Sequence, residues 1–162
     1  MYRRTKVRVF RSLMLEVLLY GCETRTLTRD LRWTLNAFGT RSLRRILGSR
    51  WSYFVSNERL LRETQMRFVT CIVCEHQLQL YGHVAHFPDA NPARQIVSAR
   101  EPREWRRSKG HPSASWFQQV YRHLKQMGMG QASTLAMARR TPLEYRQKVY
   151  AATRCSGTCF HT

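Results

Sequence analysis

The stretch TRDLRWTLNAFGTRSLRRILG, Thr28 to Gly48, decides the fold class. Thr28 stands where a helix N-cap belongs, and Leu31, Leu35, Phe38 and Ile46 fall within a narrow arc at about 100° per residue. Gly48 supplies the stop. The spacing predicts a long amphipathic helix with Arg41, Arg44 and Arg45 on the side away from the apolar arc, and Trp33 and Ala37 among them. Upstream, Thr5 to Tyr20 places Val7, Phe10, Met14, Val17 and Leu18 on one stripe. Leu13, Leu15 and Leu19 widen that stripe until the second half is apolar nearly all round, the pattern of a buried helix ended by Gly21. Downstream, Ser56 can cap a short helix through Leu61, and Thr64 or a neighbour begins a longer one ending before Pro88.

Beyond that point the helical signals are separated by breakers. Pro92 can open a short helix within residues 90–99, and residues 100–113 form a charged, proline-punctuated connection. From Ser113 to Met127, Trp116, Val120, Leu124 and Met127 lie in register before Gly128. Thr141-Pro142-Leu143-Glu144 combines a capping threonine, proline at the first helical position and a glutamate three residues on. The expected fold is therefore all-α: a small irregular helical bundle, or two helical lobes joined by a basic linker. Residues 1–99 form the first helical region, 100–113 the linker, 114–152 a C-terminal helical segment and 153–162 a frayed tail.

Charge narrows the partner. The 162 residues carry 28 Lys+Arg against 10 Asp+Glu, a formal +18, which is the electrostatic footprint of a phosphate binder. Residues 1–50 hold 12 basic and 3 acidic groups and residues 101–162 hold 11 and 3, so two basic lobes flank a nearly neutral centre. Only Lys6, Lys109, Lys125 and Lys148 are lysines; the rest is guanidinium, suited to bidentate phosphate contact and stacking on bases. No apolar run approaches the roughly 20 residues that cross a bilayer, the best candidate, Leu13 to Tyr20, being interrupted by Glu16. An intracellular location, nucleus or cytoplasm, is expected, with RNA or DNA as partner and no membrane. Five cysteines, at positions 22, 71, 74, 155 and 159, do not form the even set of a secreted disulfide framework.

Two elements are candidates for the contact. On the helix, Arg41, Arg44 and Arg45 repel one another unless an anion is present, and Trp33 offers a flat surface for a base. A merely solvated face, with Trp33 packed on another helix, fits the same pattern. In the linker, Arg103, Trp105, Arg106, Arg107 and Lys109 interleave cations with an aromatic in a Gly/Pro-containing segment, as single-stranded RNA binding requires. A solubilising linker is the plain alternative. The N-terminal Arg3, Arg4, Lys6 and Arg8 add a weaker group.

Metal and catalytic chemistry find little. Cys71 and Cys74 with His83 and His86 supply four zinc-type ligands, yet on one helix residues 71 and 86 lie about 22 Å apart along the axis. Cys155, Cys159 and His161 lack a fourth ligand nearby. No cofactor or metal is expected. Two-metal nuclease or polymerase chemistry needs clustered carboxylates, whereas the ten acids are scattered. The chain reads as a non-enzyme. A protein-interaction module is the rival, with Trp51, Tyr53, Phe54, Trp105, Trp116 and Phe117 as available anchors.

Three blocks carry a family resemblance: Tyr20 to Leu27 (YGCETRTL), Leu43 to Ser52 (LRRILGSRWS) and Arg62 to Pro88 (RETQMRFVTCIVCEHQLQLYGHVAHFP), followed by Lys109-Gly110-His111-Pro112. In order and spacing they resemble the region C-terminal to the polymerase core in reverse transcriptases of LINE-type, non-LTR retrotransposons, whose pattern runs lLYGsETWtL, lRrilGirW, lGHvlRmp and RGRP. The resemblance spans roughly Lys6 to Ala152. It implies a thumb-like, post-polymerase accessory region contacting template RNA or target DNA, mainly through phosphates, with the missing polymerase domains as a further partner. The polymerase's paired aspartates are absent here, so that activity is not carried over. Arg25, His86 and His111 replace family tryptophan, arginine and arginine. Arginine loss of this kind follows CG decay, which implies a decaying copy and adds a non-functional retrotransposon relic to the alternatives.

Overall fold

The computed structural model describes residues 2–49, 54–99, 110 and 115–154. Within them the chain is an all-α bundle, with no strand among the described residues. The first helix comprises α1 (Arg3–Val9), a wide π turn over Phe10–Met14 and α2 (Leu15–Leu18). In the wide turn the Leu15 N–H reaches back to the Phe10 carbonyl, five residues away. That extra residue shifts the helical phase. Phe10, Leu15 and Leu19 are buried, while Leu13, Met14, Val17 and Leu18, expected inside, face outward. The expectation of a helix buried all round is thus corrected: an α-helical period would put Met14 and Val17 beneath Phe10, and the π turn rotates them out.

A short 3-10 turn, Cys22–Thr24, follows Gly21, which adopts the left-handed φ of 68° that a side chain resists. Next comes α3 (Arg29–Leu47), whose Thr28 Oγ1 accepts from the Leu31 N–H at 3.3 Å. It ends at Gly48 with φ 68°, the Ser49 N–H bonding back to the Arg44 carbonyl at 3.0 Å. The buried line of α3 is Gly39, Thr40 and Leu43 rather than the Leu31–Phe38 arc, both ends of which remain exposed. Gly39 is there for closeness: an added Cβ would lie 2.7 Å from Val69 Cγ2. Ser56 caps α4 (Asn57–Thr64) by accepting from the Arg59 N–H at 3.2 Å. Thr64 closes α4 instead of opening the next helix, its hydroxyl donating back to the Leu60 carbonyl at 2.8 Å.

The next helix, α5 (Val69–Ala85), is the hub of the bundle. Its first turn has no cap of its own, but Asn36 of α3 accepts from the Thr70 N–H at 3.1 Å and donates to Thr70 Oγ1 at 3.0 Å. The first half of α5 packs Val69 and Val73 with Phe10, Leu15, Leu19, Leu43, Leu60 and Leu61. The second half packs Leu78, Tyr81 and Ala85 with Val97, Val120, Leu124, Tyr145 and Val149. Those partners come from α6 (Pro92–Ser98), α7 (Trp116–Gln126) and α9 (Pro142–Arg154), with α8 (Gln131–Arg140) closing beside them. The helices before and after residues 100–113 therefore share one central helix. Buried Glu75 is paired with Arg67 at 2.6 Å, and Thr153 of α9 donates to the same carboxylate at 3.4 Å. No described helix is long and apolar enough to cross a membrane.

Candidate nucleic-acid interface

On α3 the periodicity that buries Leu43 and Gly39 carries Arg41 and Arg45, four residues apart, to the opposite side. Both are exposed, and neither side chain makes a hydrogen bond or ion pair with any described residue. Trp33 flanks the same surface two turns earlier and is 71% exposed, so it is not packed against another helix. An indole kept in water and, about two turns on, two guanidiniums unpaired among the described residues give one helix a stacking plane and two phosphate forks.

Arg44 has a different role. Its guanidinium donates to the Val55 carbonyl at 2.7 Å and to Asn57 Oδ1 at 2.8 Å, tying the end of α3 to the start of α4. The expectation that Arg44 joins Arg41 and Arg45 in an open trio is corrected by those two bonds. Arg103, Trp105, Arg106, Arg107 and Lys109 lie outside the described residues.

The fold adds basic groups that periodicity on one helix does not reveal. The wide turn's Phe10 ring sits 6.4 Å from the Phe38 ring of α3, so the exposed Arg3, Arg4, Lys6, Arg8 and Arg11 belong to a helix in direct contact with the one carrying Arg41 and Arg45. On another side of α3, Arg32 is half-buried near Arg122 of α7. Burial first, then the Arg122 guanidinium, holds Arg32 below the ordinary arginine value. Two like charges brought together by the fold are an arrangement an anion relieves. His123, next to Arg122, is buried. Desolvation first, then Arg32, pushes it down to about 4, so the ring is neutral at physiological pH and adds no charge.

A second constellation lies where the Cys22–Thr24 turn meets α5. Cys22 Sγ is 3.5 Å from His76 Nδ1, and Glu23 stands beside them. Burial, then the Glu23 carboxylate, pushes the Cys22 thiol up to about 11. The four residues weighed from sequence as zinc ligands do not converge. Cys71 and Cys74 are buried near the start of the unbroken α5, whereas His83 and His86 are exposed at its far end. Cys155, Cys159 and His161 lie outside the described residues. Comparison with protein-family models, with curated proteins and with solved structures finds no match for this chain.

Proposed function

We propose that the chain is a non-catalytic nucleic-acid-binding module, the accessory region downstream of the polymerase core in a LINE-type reverse transcriptase, holding template RNA or target DNA by its backbone. One observation carries the binding reading: the outer face of α3 keeps the Arg41 and Arg45 side chains exposed and unpaired among the described residues, and Trp33 in solvent, on a chain of net charge +18. Unpaired guanidiniums cost little in water and gain counterion-release free energy when they meet phosphates. In this reading Arg41 and Arg45 grip phosphates and Trp33 stacks on a base. Arg32 and Arg122 offer a second anion position, and Arg103, Trp105, Arg106, Arg107 and Lys109 add contacts from the linker. Arg44 is left to hold the fold.

The test is binding of labelled mixed-sequence single-stranded RNA and DNA by the full chain, followed by anisotropy across a salt series, with an acidic polypeptide as competitor. The reading expects little sequence preference and a steep loss of affinity with salt. Trp33→Ala should cost roughly 1–3 kcal/mol of binding, the worth of one base stack. Preference for the acidic polypeptide over both nucleic acids refutes the reading. One observation favours a protein partner as well: Leu13, Met14 and Val17 are 60%, 54% and 79% exposed on the first helix, an apolar face that polymerase domains of the parent enzyme would cover. Val17→Glu would then abolish that contact and leave RNA binding in place.

A further inference from the structure

The turn after the first helix and the middle of α5 are 54 residues apart in sequence, and the fold brings a thiol, an imidazole and a carboxylate to one point there. Cys22 Sγ and His76 Nδ1 are 3.5 Å apart, and the ligand atoms of Cys22, Glu23 and His76 all lie within 4.8 Å of one another. For a tetrahedral ion with a metal–sulfur bond of about 2.3 Å and a metal–nitrogen bond of about 2.0–2.1 Å, the sulfur and nitrogen must stand roughly 3.5 Å apart. The observed separation already meets that requirement. We propose that Cys22, Glu23 and His76 form a zinc-binding site, with the fourth position left to solvent on the side where Glu23 and His76 are only half-buried.

Two features besides the separation point to a metal. The donors are preorganised: the Trp116 indole N–H of α7 donates to the Glu23 carbonyl at 2.6 Å, and Gln77, the neighbour of His76, donates to the Arg25 carbonyl at 2.7 Å. The Cys22 N–H bonds back to the Leu19 carbonyl at 3.0 Å. The backbone carrying both turn ligands is thus fixed against α5 and α7, and only the carboxylate must turn toward the ion. Charge is the second feature. On binding, the thiol proton leaves to solvent, and thiolate plus carboxylate together cancel the charge of a divalent cation. The ion and its two anionic ligands form a locally neutral cluster, and with a dication gained and one proton lost the strongly basic chain gains a single charge. Thiolate with imidazole selects zinc over the hard, oxygen-seeking magnesium and calcium. The bound ion would clip the turn after the first helix to α5, fixing the first helix and its arginines on the bundle.

The experiment uses the full chain, reduced and stripped of metal, titrated with zinc ion against a chromophoric chelator, with cobalt ion as a spectroscopic substitute. The expected result is one zinc per chain, a thiolate-to-cobalt charge-transfer band, and a higher unfolding midpoint with zinc than without. Cys22→Ala and His76→Gln should each weaken zinc binding by on the order of a hundredfold or more, and Glu23→Gln by less. His76 is half-buried, so His76→Gln keeps the test open if Cys22→Ala fails to fold. The control Cys71→Ala/Cys74→Ala should bind zinc as the parent chain does. Absence of zinc uptake overturns the site. So does uptake that survives both Cys22→Ala and His76→Gln, which would place the ion on other cysteines and histidines.

Discussion

Replacing Gly82 by alanine probes the contact that closes α9 over α5. Helix propensity alone favours the change, since glycine within a helix is about 1 kcal/mol worse than alanine. The structure opposes it. A Cβ on residue 82 would stand 2.2 Å from Tyr145 Cε1 and 2.8 Å from Cδ1, against a carbon–carbon optimum of about 3.5–4.0 Å. The ring would have to retreat by more than about 1 Å. It cannot do so freely, because Tyr145 is buried and its hydroxyl donates to the Leu78 carbonyl at 2.6 Å. Overpacking costs about 1–3 kcal/mol, and stripping a buried hydroxyl of its acceptor adds about 1–3 kcal/mol. Set against the propensity gain, Gly82→Ala should destabilise by about 2–4 kcal/mol, a fall in Tm of roughly 5–15 °C. Urea unfolding followed by far-ultraviolet circular dichroism measures it. The companion is Tyr145→Leu, which removes the ring. In that background Gly82→Ala should become neutral or mildly stabilising, a coupling of about 2 kcal/mol or more. Stability of Gly82→Ala at or above the parent's, or a cost unchanged by Tyr145→Leu, refutes the reasoning.

Two other buried groups give sharp expectations. His123 is held at about 4 instead of 6.5 by burial and by Arg32, so the unfolded chain takes up its proton first as pH falls. Stability should be full above about pH 6.5 and decline toward pH 4 by up to about 3 kcal/mol; His123→Gln should flatten that window in urea titrations, and an unaltered slope would discount the assignment. Gln119 accepts from the Leu27 N–H at 3.0 Å and donates to the Leu27 carbonyl, satisfying both backbone groups of one buried residue. Gln119→Leu should therefore cost about 2–4 kcal/mol in the same assay, and a cost below about 1 kcal/mol would mean that water replaces the amide.

What the sequence discloses is what is local. Thr28, Ser56, Pro92, Gly48 and Gly128 act within a few residues of themselves, and helix boundaries near them follow from capping chemistry alone. The phase of the first helix does not follow, because the π turn at Phe10–Met14 inserts a residue into an otherwise α-helical count. Helix α8 is silent in the sequence for another reason: its buried residues are Thr134 and Ala138, too small and too polar to mark a stripe. Thr141 resembles a cap for α9, yet its hydroxyl donates to the Met137 carbonyl of α8 at 3.3 Å. The candidate interface was half legible. Arg41 and Arg45 sit outward by periodicity, whereas Arg44 is withdrawn by Val55 and Asn57, partners beyond the helix. The meeting of Arg32 with Arg122, and of Cys22 with His76, depends on tertiary packing that no periodicity encodes.

The central claim, that the outer face of α3 holds nucleic-acid phosphates, is tested most directly by the salt slope of RNA binding in the Arg41→Gln/Arg45→Gln double variant. Both side chains are exposed and unpaired among the described residues, so unfolding stability should stay within about 1 kcal/mol of the parent's. Each lost phosphate contact lowers the slope of log K against log salt by about 0.7 for a single strand, so the double variant should lose roughly 1.4. Arg44→Gln is the control. It should cost about 1–3 kcal/mol of stability through its two hydrogen bonds and leave the slope unaltered. A slope in the double variant equal to the parent's, or a loss no greater than that of Arg44→Gln, would contradict the account.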